Sequence, residues 1–208
     1  MVEEAIQSVF STAYLPSAEY LYYIGKSDNI LIEFFETYQK QTWRNRCTIL
    51  TANGKLDLII PVKKPFGNKT KTSEVLTDSS LRWQINHWRA IESAYYKTPY
   101  FMHYNELFEP LYKNQYNGLL IEWNTELLKR VLKEFGIEKN INYTTEFKTN
   151  YNTDYRFTLS PKNKERDIQV KFPEYFQAFS DRYGFIPNLS LLDLVFNLGP
   201  DLNSYIEG

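Results

Sequence analysis

"AIQSVFSTAYLPSAEYLYYIGKSDNILIEFFE", residues 5–36, holds two β-compatible runs on either side of a short helical pattern. Residues 5–12 alternate small or apolar with polar side chains, the period-two signature of a strand. Pro16 suits the first turn of a helix, and Ser17 or Thr12 stands ready to cap nearby amides. Ala18, Leu21, Tyr22 and Ile24 then carry a helix ending around Gly25, and "NILIEFFE" (29–36) is a second strand. Strand, short helix, strand is a β-α-β opening. The order of the strands stays open.

Further along, "RNRCTILTANGKLDLIIPVKK" (44–64) contains the strongest local signal. Asn53-Gly54 lies between two β-like runs and favours a tight hairpin turn, so Arg44–Thr51 and Lys55–Val62 are predicted to pair antiparallel. "KKPFGNKTKTSEV" (63–75) reads as an exposed loop. Ile85, Trp88, Ile91 and Tyr95 recur at helical spacing over 85–101, with Pro99 as the stop. A second, amphipathic helix is expected within 118–137, capped near Asn124 or Thr125 and ended by Gly136. Residues 138–170 turn polar, giving a strand at 141–147 and then a long, partly mobile loop. Over 171–208, Ser190 and Asp193 resemble a helix N-terminus, Leu191, Leu192, Leu194, Val195 and Phe196 supply apolar turns, and Gly199-Pro200 ends them. The expected architecture is α/β: a single mixed-sheet domain over 1–208 with a β-α-β opening, a β-hairpin and a C-terminal helical extension.

Composition bounds the function. A chain of 208 residues, 43% hydrophobic and 24% charged, is ordinary for a globular domain. Its net charge of −1 supplies no global field toward DNA, RNA or an anionic bilayer, so nucleic acid is not an expected partner and anion binding must be local. One cysteine, Cys47, leaves no internal disulfide. "MVEEAIQSVF" lacks the basic start of an ordinary signal peptide, and no apolar run approaches the roughly 20 residues of a membrane helix. The expectation is a cytoplasmic protein without a membrane span, its oligomeric state open. Aromatic residues reach 17%, mostly for core and rim, with a few left to stack on a sugar or base.

Short catalytic motifs are missing: no glycine-rich phosphate loop, no Asp-x-Asp pair and no nucleophile elbow. His87, His103 and Cys47 do not complete a zinc site, so no metal is predicted and no cofactor is indicated. What remains is "QKQTWRNRC" (39–47). On a strand, Arg44 and Arg46 would share one face and Trp43, Asn45 and Cys47 the other. Two guanidiniums with Lys40 at the entrance suit a diphosphate or a carboxylate. The plainer alternative is a solvated pair matched by Glu33 or Glu36. Glu36 follows an apolar strand, where α/β proteins place working acids, or it pairs with Lys40. Tyr14 and Pro16 would share that edge if the first strands are parallel. His87 opens its helix and is expected to be neutral at pH 7, as a reactive group or as a structural hydrogen-bonding residue. Glu36 and His87 are the candidate catalytic residues; Tyr14, Tyr38, Lys40, Arg44, Asn45, Arg46 and Tyr95 are the candidate ligand contacts.

In order along the chain, "STAYLPSAEYLYYIGKSDNILIE", "YQKQTWRNRCTI", "NGKLDLIIPV", "HWRAIESAYYKTPYF" and "IPNLSLLDLVFNLGP" resemble the WbqC-like proteins, the last looking like the branch found in Bacteroidetes-type bacteria. Within that resemblance Tyr14 and Pro16 match a Tyr-x-Pro, Asn45 and Arg46 an Asn-Arg, Pro61 and Val62 a Pro-Val, and His87 a helix-opening histidine; Tyr95, Pro99 and Asn124 also fit. Ser11-Thr12 stands where many members have Gln-Ser, and Glu33 and Glu36 where many have Asp-Asp. The resemblance implies a link to O-antigen biosynthesis and, more narrowly, transfer of an acyl or aminoacyl group to a nucleotide-linked amino sugar. Two other functions are expected alternatives. One is a non-catalytic binding or assembly protein that uses the apolar C-terminal helix and the 63–75 loop as contacts. The other is a nucleotidylyltransferase-like enzyme, suggested by the β-α-β opening.

Overall fold

The computed structural model describes residues 6–161 and 170–207. β1 (Gln7–Ser11), α1 (Ala18–Gly25) and β2 (Asn29–Glu33) form the β-α-β opening. The two strands run parallel in the register Gln7↔Asn29 to Ser11↔Glu33, so Ser11 and Glu33 end together at one edge. β2 stops at Glu33 rather than at 36, because Glu33 Oε1 accepts the Phe35 amide at 2.8 Å and turns the chain.

β3 (Arg46–Thr51) and β4 (Gly54–Ile59) make the hairpin, with Gly54 at φ +97° in the turn. β3 starts two residues later than the pattern suggested, since Arg44 and Asn45 turn into the interior first. Residues 63–75 are more ordered than a plain loop: β5 (Val62–Lys63) pairs antiparallel with β6 (Leu76–Thr77), and Thr70 and Thr72 between them are buried.

α2 (Trp83–Tyr95) ends well before Pro99; α3 (Phe101–Tyr104) and α4 (Glu109–Lys113) follow as short turns. α5 (Leu120–Glu134) begins after Leu119 with no side-chain cap. Asn124 and Thr125, expected as its cap, lie inside the helix and are buried, because the Asn124 amide donates to the Thr12 hydroxyl at 3.0 Å and the Arg44 carbonyl at 2.8 Å. β7 (Asn140–Tyr143) pairs parallel with β2, giving the order β1-β2-β7. On the free side of β1, Val9 exchanges backbone hydrogen bonds with Thr153 and Tyr155. The rest of the expected loop up to 161 is described; residues 162–169 lie outside the described residues.

α6 (Ser180–Tyr183) precedes α7 (Leu191–Leu198), which starts at Ser190 as predicted, the serine hydroxyl accepting the Leu192 amide; α8 (Leu202–Glu207) then closes the chain. Leu191, Leu192, Leu194, Val195 and Phe196 are all fully buried. The apolar C-terminal helix is therefore core and offers no partner surface. Its start is locked to that of α1: the Ala18 amide donates to Leu189 O at 3.0 Å and the Leu191 amide to Pro16 O at 2.7 Å. Leu15 (φ +42°) and Asn188 (φ +60°) hold left-handed conformations to make this crossing.

Gly199, after α7, has φ +53° and ψ −123°, and a Cβ there would lie 2.5 Å from the Tyr100 ring. Gly199→Ala is expected to lower unfolding stability by about 2–4 kcal/mol, combining backbone strain with overpacking. Gly136→Ala, at φ +65° with open space around it, should lose only about 1 kcal/mol. Urea denaturation of both variants checks the difference.

Candidate functional site

Beyond the carboxyl edge of β1 and β2 lies a buried cluster of charges. Arg44 forks onto Glu36: Nε donates to Oε1 at 2.9 Å and Nη2 to Oε2 at 2.6 Å, and Nη2 also donates to Ser11 Oγ at 2.8 Å. Both side chains are nearly inaccessible. A second pair lies beside it, Arg156 to Glu33 at 2.7 Å and to Asp154 at 2.6 Å. Thr144 Oγ1 donates to the remaining Glu33 oxygen at 3.0 Å. The rings of Phe147, Tyr151 and Phe157 lie 4.9–5.4 Å from the Arg156 guanidinium, which anchors residues 147–157 to the end of β2. A narrow cleft of about 20 Å³ reaches Ser11, Thr12, Arg44 and Arg156, with room for one water-sized group.

A neutral network adjoins it. Tyr14 hydroxyl lies 2.9 Å from His87 Nδ1 and 2.6 Å from the Tyr112 hydroxyl. The Ile59 carbonyl also lies beside the His87 ring. Burial, partly offset by that carbonyl, pushes the imidazole down to about 4. It is neutral at pH 7, and desolvation is the main cause. Trp83 and Trp123 pack edge-to-face at 5.2 Å around the network.

The structure separates the two arginines expected on one face. Arg44 lies before β3 and points inward, whereas Arg46 is the first strand residue, half-buried and only loosely paired with Asp57 at 3.9 Å. Arg46 Nε and Asn45 Oδ1 are buried and meet no hydrogen-bond partner among the described residues. Arg46 lines a second cleft of about 20 Å³ with Tyr14, Pro16, Ser17, Trp43 and Asn188. Tyr38 is buried near both guanidiniums; burial pushes its phenol up to about 12 against their pull. Lys40 is exposed and neighbours Lys64, so it does not pair with Glu36. Tyr95 stands apart: its ring packs on Phe196 at 5.3 Å, and its hydroxyl lies close to Asp193.

Arg156 escaped the sequence reading because its partner Glu33 is far away in the chain and Asp154-Tyr155-Arg156 carries no motif. Asp193 also went unread as an ionisable site. It is buried in the first turn of α7 and accepts from Tyr175 Oη at 2.5 Å and Gln177 Nε2 at 2.8 Å. Desolvation pushes it up to about 6 despite these donors. Cys47 is buried and its thiol is pushed up, so it is inert. Among the described residues no three His, Cys, Asp or Glu side chains converge for a metal.

The start of α1 is closed to phosphate. Leu189 O and Asn188 Oδ1 already accept the amides of Ala18 and Glu19, the latter at 3.0 Å, so the phosphate seat a nucleotidylyltransferase-like enzyme would need there is filled.

Fold and site together define a small α/β protein with an internally paired charge cluster at the carboxyl edge of a parallel sheet. Residues 12–167 match the WbqC-like protein family, and the chain belongs to it. It is 24% identical over 224 residues, covering 96% of each chain, to the uncharacterised protein Rv1507c of Mycobacterium tuberculosis (strain ATCC 25618 / H37Rv). No solved structure matches. No helix among the described residues is long and apolar enough to cross a membrane.

Breaking the Glu36–Arg44 fork strands a buried charge. Arg44→Met or Glu36→Gln alone is expected to cost about 3–5 kcal/mol, and the double variant substantially less than the sum. Equal and additive losses in urea denaturation would contradict the pairing. A second expectation concerns pH. His87 binds its proton more weakly when folded (about 4 against 6.5), so its linkage adds stability as pH rises through that window. Asp193 binds its proton more tightly when folded (about 6 against 3.8), so its linkage removes stability as pH rises. From about pH 4 to 6 these slopes, each up to about 1.4 kcal/mol per pH unit, oppose one another. In Asp193→Asn, relative to the parent, stability should rise more steeply over that window; in His87→Gln it should fall. Denaturation midpoints across the window test this, and slopes of the same sign change in both variants would refute it.

Proposed function

We propose that this WbqC-like chain acts in the cytoplasm on bacterial surface-polysaccharide (O-antigen) precursors, belongs to the Bacteroidetes-type branch, and transfers a small acyl or aminoacyl group to a nucleotide-linked amino sugar. The supporting observation is the cleft at Arg46. Tyr14, Pro16 and Arg46, far apart in sequence, line one wall, and Arg46 keeps a donor that nothing in the described chain accepts. Arg44, by contrast, is committed to Glu36. The cleft admits a single phosphate or carboxylate oxygen, which a guanidinium suits. The bulk of a ligand would lie outside, with Trp43 as the stacking surface and Lys40 as a second cation. Glu36 or His87 would accept the proton that the amine loses as its nitrogen bonds to the acyl carbon of a thioester donor and the carbon–sulfur bond breaks, the thiolate leaving with the electron pair.

A second reading, a non-catalytic binding protein of the same pathway, draws on the engagement of both candidate bases. Each oxygen of Glu36 already accepts from Arg44, and His87 Nδ1 already pairs with the Tyr14 hydroxyl.

Thermal shift against UDP- and dTDP-linked amino sugars, CoA thioesters, glycine and pyrophosphate tests the proposal. A sugar nucleotide at a hundred times its dissociation constant should add about 2.7 kcal/mol of apparent stability, and Arg46→Ala should abolish the gain. No gain from any sugar nucleotide would end both readings. A gain without an amide product by mass spectrometry, whichever donor is supplied, would leave the binding protein.

A further inference from the structure

Residues 63–75, "KKPFGNKTKTSEV", carry four lysines and one glutamate in a chain whose net charge is −1. They concentrate positive charge that the molecule as a whole lacks. The segment is tightly built. Phe66 N–H donates to Thr70 Oγ1 at 3.0 Å, that hydroxyl donates to Gly67 O at 3.0 Å, and the amides of Gly67 and Lys69 close turns onto Lys64 and Phe66 at 3.1 Å. Behind the tip, Tyr38 N–H donates to Thr70 O at 3.0 Å, Thr72 N–H to Glu36 O at 2.9 Å and Ser73 N–H to Phe34 O at 3.1 Å. The tip is thus a rigid platform fastened to the segment that carries Glu36.

Two features of this platform are unfavourable in water. The Phe66 ring is 63% exposed at the tip, beside the exposed Pro65. The Lys40 and Lys64 ammonium groups also lie close together. Dehydration and the neighbouring Lys40 charge push Lys64 below the ordinary lysine value, and its Nζ meets only the neutral Asn68 amide at 3.2 Å. Lys63 is matched by Asp78 at 3.0 Å, but among the described residues Lys40, Lys64, Lys69 and Lys71 form no ion pair.

We propose that this loop, with Lys40, is a docking surface for an anionic phospholipid bilayer, Phe66 entering the headgroup boundary while Lys40, Lys64, Lys69 and Lys71 meet lipid phosphates. An exposed apolar tip on a lysine-rich loop matches a surface whose charge is diffuse and whose interior is apolar. Lysine acts as a point charge, without the planar fork that selects a single phosphate. One exposed ring gives an anchor and no stacking ladder for bases. The contact is peripheral, and because the platform is bonded to residues 34–38 it brings the carboxyl edge of the parallel sheet close to the bilayer. The inference shares Lys40 with the ligand assigned to Arg46 but does not rest on that ligand.

Co-sedimentation of the full chain with phosphatidylglycerol–phosphatidylcholine vesicles and with pure phosphatidylcholine vesicles tests it. Binding to the anionic vesicles alone, falling with added salt, is expected. At about fivefold per lysine, Lys64→Glu with Lys69→Glu should weaken it by about 25-fold or more. Phe66→Ser, which leaves the charge unchanged, should weaken it several-fold. Lys129→Glu with Lys133→Glu, exposed on α5, changes net charge equally and should leave it within about twofold of the parent. Three results would overturn the proposal: no preference for anionic vesicles, equal losses from the two double variants, or a Phe66→Ser variant that binds vesicles like the parent while DNA competes for the same lysines.

Discussion

The fork between Glu36 and Arg44 ties together parts of the chain that the sequence keeps apart. Burying two charges costs several kcal/mol per ion and is recovered only where the geometry is good and further hydrogen bonds meet the remaining atoms. Here both carboxylate oxygens are met, Ser11 at the end of β1 joins the pair, and the Arg44 carbonyl takes the Asn124 amide from α5. Drawing Arg44 inward makes the chain reverse through residues 41–45, with Gln41 at φ +58°, before β3 can begin. Arg46 then emerges on the outer side of the hairpin. The same fork that holds the carboxyl edge together therefore leaves Arg46 as the available guanidinium.

The second constraint is the crossing of residues 14–18 with 188–191. Each helix start lends a carbonyl to the first amide of the other, so α1 and α7 cap one another. This explains why two left-handed residues are tolerated there and why the anion-attracting end of α1 is unavailable. It also places Tyr14 and Pro16 beside Arg46. The proposed function falls to side chains at the crossing and to the surface beyond it.

Much of the fold was legible because its signals are local. Alternation in 5–12, Asn53-Gly54 and the Ser190 cap each act within a few residues, and each element formed where such a signal stood. Element ends were harder. Asn124 looks like a cap by type, yet its amide is spent on Thr12 and Arg44, a tertiary contact that no local pattern encodes. The site was legible in residue type more than in geometry. The cation cluster was visible, but strand alternation put Arg44 and Arg46 on one face because nothing in "KQTWRNRC" announces an inward turn. Arg156, Asp154 and Asp193 stayed hidden since their partners come from distant segments or from burial alone.

Two arginines, two residues apart, divide the labour between pairing and ligand contact in the proposed function. Their side-chain Nε–Hε signals, observed by nitrogen-15 NMR while pyrophosphate is added and assigned with single Arg→Lys variants, report on each directly. The expected result is a slowly exchanging Arg44 signal that does not move and an Arg46 signal that shifts with ligand. Movement or loss of protection at Arg44, with Arg46 unchanged, would contradict it.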